Sequence, residues 1–171
     1  MRVTVRRALL RDAEAIGSVA VRAWQVGYVD LMPPAFLDGL VVADRVDMWR
    51  RALRSPRPDR RILVADAAEA VTGFVAFGSA QDEQSGSDGE LYALNVDPDR
   101  WGSGVGSALL TASHDGLAEL GHRRATLWVL TGNDRARRFY ERHGWSAEPV
   151  QRSADALGVT VLETRYTRAL G

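Results

Sequence analysis

A mixed-sheet α/β (α+β) domain is what the sequence predicts, on three observations. The 171 residues suit one domain, able to bury roughly 70% of the surface it exposes unfolded. No internal repeat or linker divides them, so residues 1–171 read as a single domain. The segments run strand, two helices, three strands, helix, strand, helix, two strands, so antiparallel strands precede a parallel strand–helix–strand unit.

Val3–Ala8 forms the opening strand. Asp12 suits the N-cap of a helix reaching about Trp24, because a short acidic side chain accepts from the free N–H groups of a first turn. Pro33 and Pro34 interrupt a second helical region, which resumes over Asp44–Leu53. Ser55-Pro56-Arg57-Pro58 is a loop. Arg61–Ala65 and Val71–Gly78 are strands around a turn at Asp66–Ala70, with Gly73 marking a bulge. Gln81–Gly89, polar and rich in Gly and Ser, reads as a mobile hairpin loop. Glu90–Val96 is a strand stopped by Asp97-Pro98, and a helix from Gly104 to Leu120 ends at Gly121. Ala125–Leu130 is continuously apolar, hence a central strand. Asn133–His143 is a helix with Gly144 as its stop, and Trp145–Arg152 and Val159–Arg168 are closing strands.

Composition removes several function classes. Apolar residues make up 46% and charged residues 26%, proportions of a globular chain rather than a disordered one. No apolar run approaches the roughly 18 residues of a membrane helix, so no membrane partner is expected. Met1–Arg7 has no long apolar stretch behind its charges; no secretory signal is expected, and the cytoplasm is the expected compartment. The absence of cysteine excludes disulfides and thiolate nucleophiles. Positive and negative residues balance at 22 each, which argues against a nucleic-acid partner. Every positive residue is Arg, and without Lys neither Schiff-base chemistry nor a P-loop is available.

The segment from Val96 to Leu110 carries the most information. A strand ends at Pro98, and Gly102, Gly104 and Gly106 alternate into a helix start. Such a loop lets backbone N–H groups converge where the helix adds partial positive charge, a site for a phosphate or pyrophosphate. A dinucleotide fingerprint would need glycine at position 107 or 109, where Ser107 and Leu109 stand. The bland alternative is a strand-to-helix turn with no ligand.

This loop, Trp101-Gly102-Ser103-Gly104-Val105-Gly106, resembles the Gln/Arg-x-x-Gly-x-Gly/Ala signature of the GNAT superfamily of acetyl-CoA-dependent N-acetyltransferases. Trp101 departs from it by standing in the Gln/Arg place, beside Arg100. A second stretch, Asn133 to Trp145, resembles the family's N-x-x-A-x-x-F-Y-x-x-x-G-F/W signature. Taken by itself, it reads as an amphipathic helix with Ala136, Phe139 and Tyr140 on one face. The resemblance implies a GNAT-like fold, β-α-α-β-β-β-α-β-α-β-β, whose central parallel strands splay apart. It implies acetyl-CoA as co-substrate, bound by the loop 101–107 including Ser107, by main-chain groups around Leu94, Asn95 and Val96, and by Asn133. It also implies that Tyr140 protonates the departing thiolate. Asn133 serves equally as a helix N-cap.

The remaining candidates are open at this level. Glu90 begins the cofactor-bearing strand and is either a general base acting through water or a solvated strand-end charge, with Asp88 a weaker rival. Trp24 and Tyr28, with Met32 and Phe36, either line an acceptor pocket or form core. Arg135, Arg137, Arg138 and Arg142 reach cofactor phosphates or form a solvated face. His114, His122 and His143 lack metal-ligand spacing, so no metal is expected; His143 suits a helix C-terminus. The expected reaction is direct transfer of acetyl to a primary amine, of a small molecule or of a protein's N-terminus or lysine. A non-catalytic acyl-CoA-binding module is the alternative. The protein is expected as a monomer or homodimer.

Overall fold

The computed structural model describes residues 3–67, 70–82 and 85–171. The strands are β1 (Val3–Arg7), β2 (Arg60–Ala67), β3 (Ala70–Ser79), β4 (Gly89–Val96), β5 (Arg124–Leu130), β6 (Ser146–Ala156) and β7 (Val159–Ala169). They form one sheet in the order β1-β2-β3-β4-β5-β7-β6. The pair β4–β5 is parallel and the other pairs are antiparallel. The helices are α1 (Ala13–Gly27), α2 (Pro34–Asp38), α3 (Val42–Arg54), α4 (Val105–Glu119) and α5 (Asp134–Arg142).

Each sheet face buries its own core. Val75, Phe77, Leu91 and Leu127 pack under α4 and α5 against Leu109, Leu117 and Tyr140. On the opposite face Val64, Phe74 and Ala76 pack under α1 and α3 against Ile16, Val19 and Trp49. In the first core Trp145 Nε1 donates to His114 Nε2 at 3.1 Å. Burial lowers the His114 pKa to about 4.

The predicted element order holds, with one addition: the second helical region is two helices, not one. Pro34 occupies the first turn of α2, where its missing N–H is not needed, and Gly39 ends that helix. Asp12 does not cap α1. Its carboxylate accepts from Leu9 N–H at 2.7 Å and is paired with Arg6, so it closes the 3₁₀ turn before α1 instead. The bulge expected at Gly73 falls one residue earlier: Ala65 faces Gly73 and Asp66 faces Val71, leaving Thr72 as the extra residue. Residues 68 and 69 of the predicted turn and residues 83 and 84 of the predicted hairpin loop lie outside the described residues; Gly89 already belongs to β4.

The β6–β7 hairpin turns on two residues, Leu157 (φ 56°) and Gly158 (φ 89°). Two left-handed residues match the right-handed twist of the flanking strands, but a leucine pays for that conformation with steric strain. Leu157 is 45% exposed, yet it helps to line a small cavity of about 150 Å³ with Trp24, Leu40 and Met48.

Candidate active site

Strands β4 and β5 are in register only at Gly89–Ala125, Glu90–Thr126 and Leu91–Leu127, and then diverge. One cause is visible in β4. Ala93 pairs with Ala76 and Leu91 with Phe77, so Tyr92 is an extra residue that bends the strand. The Asp97 N–H reaches Thr72 O at 2.8 Å, which fixes the alternation above the bulge. Asn95 therefore turns its main chain to β3, and Leu94 and Val96 turn theirs into the gap.

The glycine loop closes one end of this gap. Asp97 accepts from Asp99 N–H and starts a short 3₁₀ turn, after which Gly102 (φ 73°) and Gly104 (φ 90°) adopt left-handed conformations. A Cβ built at either would meet nothing within 4 Å, so the space beside the loop backbone is open. Gly104 is the N-cap of α4, leaving the first-turn N–H groups of the helix directed outward. Gly106 lies against the Phe139 ring, where a Cβ would make ordinary contact at 3.4 Å. An anion fits this cradle on backbone geometry alone. Trp101 does something a Gln or Arg would not. Its Nε1 donates to Val96 O at 2.9 Å, and the Arg135 guanidinium stacks 3.6 Å from its ring centroid.

The gap opens into a cleft of about 560 Å³. Leu94, Asn95, Val96, Trp101, Gly102 and Gly104 line it. So do Gly106, Ser107, Asn133, Tyr140, Trp24 and Tyr28. Ser103 and Val105 do not: the Ser103 hydroxyl donates to Arg100 O at 2.6 Å, and Val105, the first residue of α4, is fully buried. Asn133 caps α5, its Oδ1 accepting from Ala136 N–H at 3.1 Å. Trp24 and Tyr28 stack at 5.1 Å between centroids, while Met32 and Phe36 stay outside the lining. Arg135 and Arg142 face the cleft, whereas Arg137 is engaged with Tyr166 OH and Thr131 O. His143 does more than end α5: its Nδ1 donates to Phe139 O and its Nε2 meets Ser107 Oγ at 2.9 Å, tying α5 to the first turn of α4.

Tyr140 is 8% exposed at the cleft wall. Burial pushes its pKa above the ordinary phenol value, with the Tyr28 phenol adding to the shift and Arg135 opposing it. The hydroxyl is therefore a protonated donor. Glu90 is 7% exposed and accepts from Gln81 N–H at 2.8 Å. Burial raises its pKa, so the carboxyl is more basic than usual. It does not line the cleft. Asp88 is paired with Arg124 at 3.4 Å. Trp128 and Glu163 line the cleft without having stood out in the sequence. For Trp128 and Glu163 the available signal was strand alternation on β5 and β7, which says which face a residue occupies but not that the face borders a gap. Among the described residues no three His, Asp or Glu side chains gather as a metal site, and no helix is long and apolar enough to cross a membrane.

Residues 24–145 match the Acetyltransferase (GNAT) family. The chain is 35% identical over 133 residues to the uncharacterized N-acetyltransferase YuaI of Bacillus subtilis, covering 77% of this chain and 73% of YuaI. It is 39% identical over 89 residues to the mycothiol acetyltransferase of Propionibacterium freudenreichii, covering 52% of this chain but 28% of that enzyme. YncA of Salmonella typhimurium, solved with its cofactor acetyl-CoA, has the same fold. Its TM-score is 0.72 over 100% of this chain and 95% of that one, at 18% identity. Fold, cleft and relatives define an N-acetyltransferase. The chain belongs to the GNAT family.

Proposed function

We propose that this protein moves the acetyl group of acetyl-CoA to a primary amine of a small molecule, by direct attack within a ternary complex. The observation that carries the reading is a single cleft bordered by the splayed β4 backbone, the glycine cradle and the Tyr140 phenol. Acetyl-CoA supplies an acetyl group activated as a thioester. The chain's own groups then have distinct tasks. The loop 101–107 and the α4 N-terminus hold phosphate charge. The main-chain groups of Leu94 and Val96 face the gap, where an N–H can polarise a carbonyl oxygen. Asn133 holds the start of α5, which carries Tyr140.

A C–N bond forms and the C–S bond breaks, and an acceptor arriving as ammonium gives up two protons. One reaches the sulfur through the Tyr140 hydroxyl. The other passes to water, with Glu90 receiving it through a water relay because the carboxyl stands off the cleft. No cysteine is present for an acyl-enzyme, which suits direct attack.

The test is thermal denaturation with acetyl-CoA, NAD and ATP, followed by thiol release over a panel of small amines and a peptide amine. Acetyl-CoA should raise Tm well above the shift from the other two, since a ligand of the folded state alone stabilises it. Thiol should appear with a small amine. Equal shifts from all three nucleotides would point to generic phosphate binding. Binding without thiol release on any amine would favour a non-catalytic module.

A further inference from the structure

The cleft wall beyond the splay carries a chemistry that the family's signatures do not encode. Past the last β4–β5 pair, Leu91–Leu127, both strands lead into the cleft, where Leu94 and Leu130 line it, and Leu130 pairs with Glu163 on β7. Glu163 therefore stands beside Leu130, on the cleft wall opposite β4. Two residues back on β5, Trp128 lies on the same sheet face, which is the α1 face. Both line the cleft.

A cation already sits against this pair. The Arg152 guanidinium lies 4.1 Å from the Trp128 ring centroid, and its Nε donates to Glu163 Oε2 at 2.8 Å. Arg152 comes from the edge strand β6, is 41% exposed along its side chain, and does not line the cleft. An aromatic face and a carboxylate converging on one guanidinium make a cation box. The chain fills its outer side, and the carboxylate's other oxygen, Oε1, is not part of that bond. Among the described residues that line the cleft, Glu163 is the only carboxylate, and Arg100, Arg135 and Arg142 line it as well. Arg165, 5.8 Å from the Trp128 centroid, is engaged by Glu148 at 2.5 Å, and Asp82 and Glu90 lie on the same side.

We infer that Glu163 and Trp128 are the specificity-determining residues of the acceptor site. They receive the acceptor as an aliphatic ammonium ion, with its nitrogen at Glu163 and its carbon chain on Trp128. This rests on the acetyl-transfer reading above. Glu163 selects the charged amine by Coulomb attraction in a partly desolvated cleft, where one charge pair counts for more than in water. Arg152 orients the carboxylate from outside.

The experiment titrates the full chain, with and without bound coenzyme A, using n-butylammonium chloride and the uncharged isostere 1-butanol. Binding is read by saturation-transfer NMR, and coenzyme A affinity is read separately by calorimetry. The wild type should bind butylammonium at least about tenfold more tightly than butanol. Glu163→Gln, which keeps the shape and can still accept from Arg152, should abolish that preference and leave coenzyme A affinity unchanged. Trp128→Leu should weaken both probes. Arg152→Gln should preserve the preference. For any amine that gives thiol release, Glu163→Gln should raise KM about tenfold with kcat within about threefold. Equal binding of the two probes by the wild type, or a preference that survives Glu163→Gln, overturns the inference. Failure of coenzyme A to bind overturns the acetyl-CoA reading instead, and the probe titrations on the free chain still decide the acceptor site.

Discussion

On the α4–α5 side of the cleft, the groups proposed to bind are main-chain N–H groups of the glycine loop and of the first turn of α4, close together in sequence. On the β5–β7 side they are the side chains of Trp128, Arg152 and Glu163, drawn from three strands. The first wall is made of glycine conformations, so few residue types can build it. The second is made of side chains on a regular sheet, so almost any residue can occupy each place without disturbing the ladder. The difference teaches how one fold keeps a cofactor and changes an acceptor. On the proposed reading, the groups that hold acetyl-CoA belong to the backbone, and the groups that meet the acceptor belong to replaceable side chains.

The contrast breaks most clearly at Gly104. Valine there would need a left-handed conformation that a β-branched residue resists, and its methyl groups would fill the open space beside the loop. Gly104→Val should lower acetyl-CoA affinity by roughly 10²–10³-fold while the protein remains folded. Butylammonium binding to the free chain should be untouched. Calorimetry and the NMR titration measure the two halves, and wild-type affinity for coenzyme A in the folded variant would sink the cradle.

Tyr140 stands between the walls, so its effect should fall on neither affinity. Tyr140→Phe keeps the ring that packs against Phe139 and Trp145 and removes the hydroxyl. The single-turnover rate should fall by roughly 10²-fold if proton transfer limits it, with acetyl-CoA affinity nearly constant. An unchanged rate constant makes Tyr140 a packing residue.

A smaller effect tests the support behind the cofactor wall. Burial keeps His114 neutral in the fold, and because Nε2 accepts from Trp145, charging the ring would also set N–H against N–H. Its folded pKa of about 4 lies below the unfolded value near 6.5. The stability it contributes is present above pH 6.5 and is lost as pH falls toward 4, where the folded ring also charges; its ceiling is about 3.4 kcal/mol, and solvent screening of the part-exposed ring lowers it. Urea melts of the wild type and of His114→Gln across that window check it. The variant should lose less stability than the wild type on acidification.

The same contrast explains what could be read beforehand. The strand–loop–helix at 90–120 and the Asn133–Trp145 helix are local patterns, so their elements and the glycine turn into α4 were legible from residues close in sequence. Glu90 was legible as a carboxyl on the right strand, but not its place off the cleft, because the β4 bulge at Tyr92 is set by pairing with β3. Asp12 was misread for a related reason: Arg6 and the Leu9 N–H compete for its carboxylate. Glu163 and Trp128 gain their meaning from register across β5 and β7, which no local spacing records.

The hairpin tip gives the acceptor wall a mechanical character. Strands β6 and β7 are 11 residues each, an arm about 35 Å long. It is held by β5 over Glu163–Ala169, and at its far end Leu157 borders the small cavity that Trp24 and Met48 also line. An asparagine would turn the chain more comfortably but would have nothing to grip. The leucine accepts torsional discomfort and makes the arm a beam supported at both ends. Residues along its span can then be exchanged over generations, retargeting the enzyme, without the span itself sagging away from the helices above it.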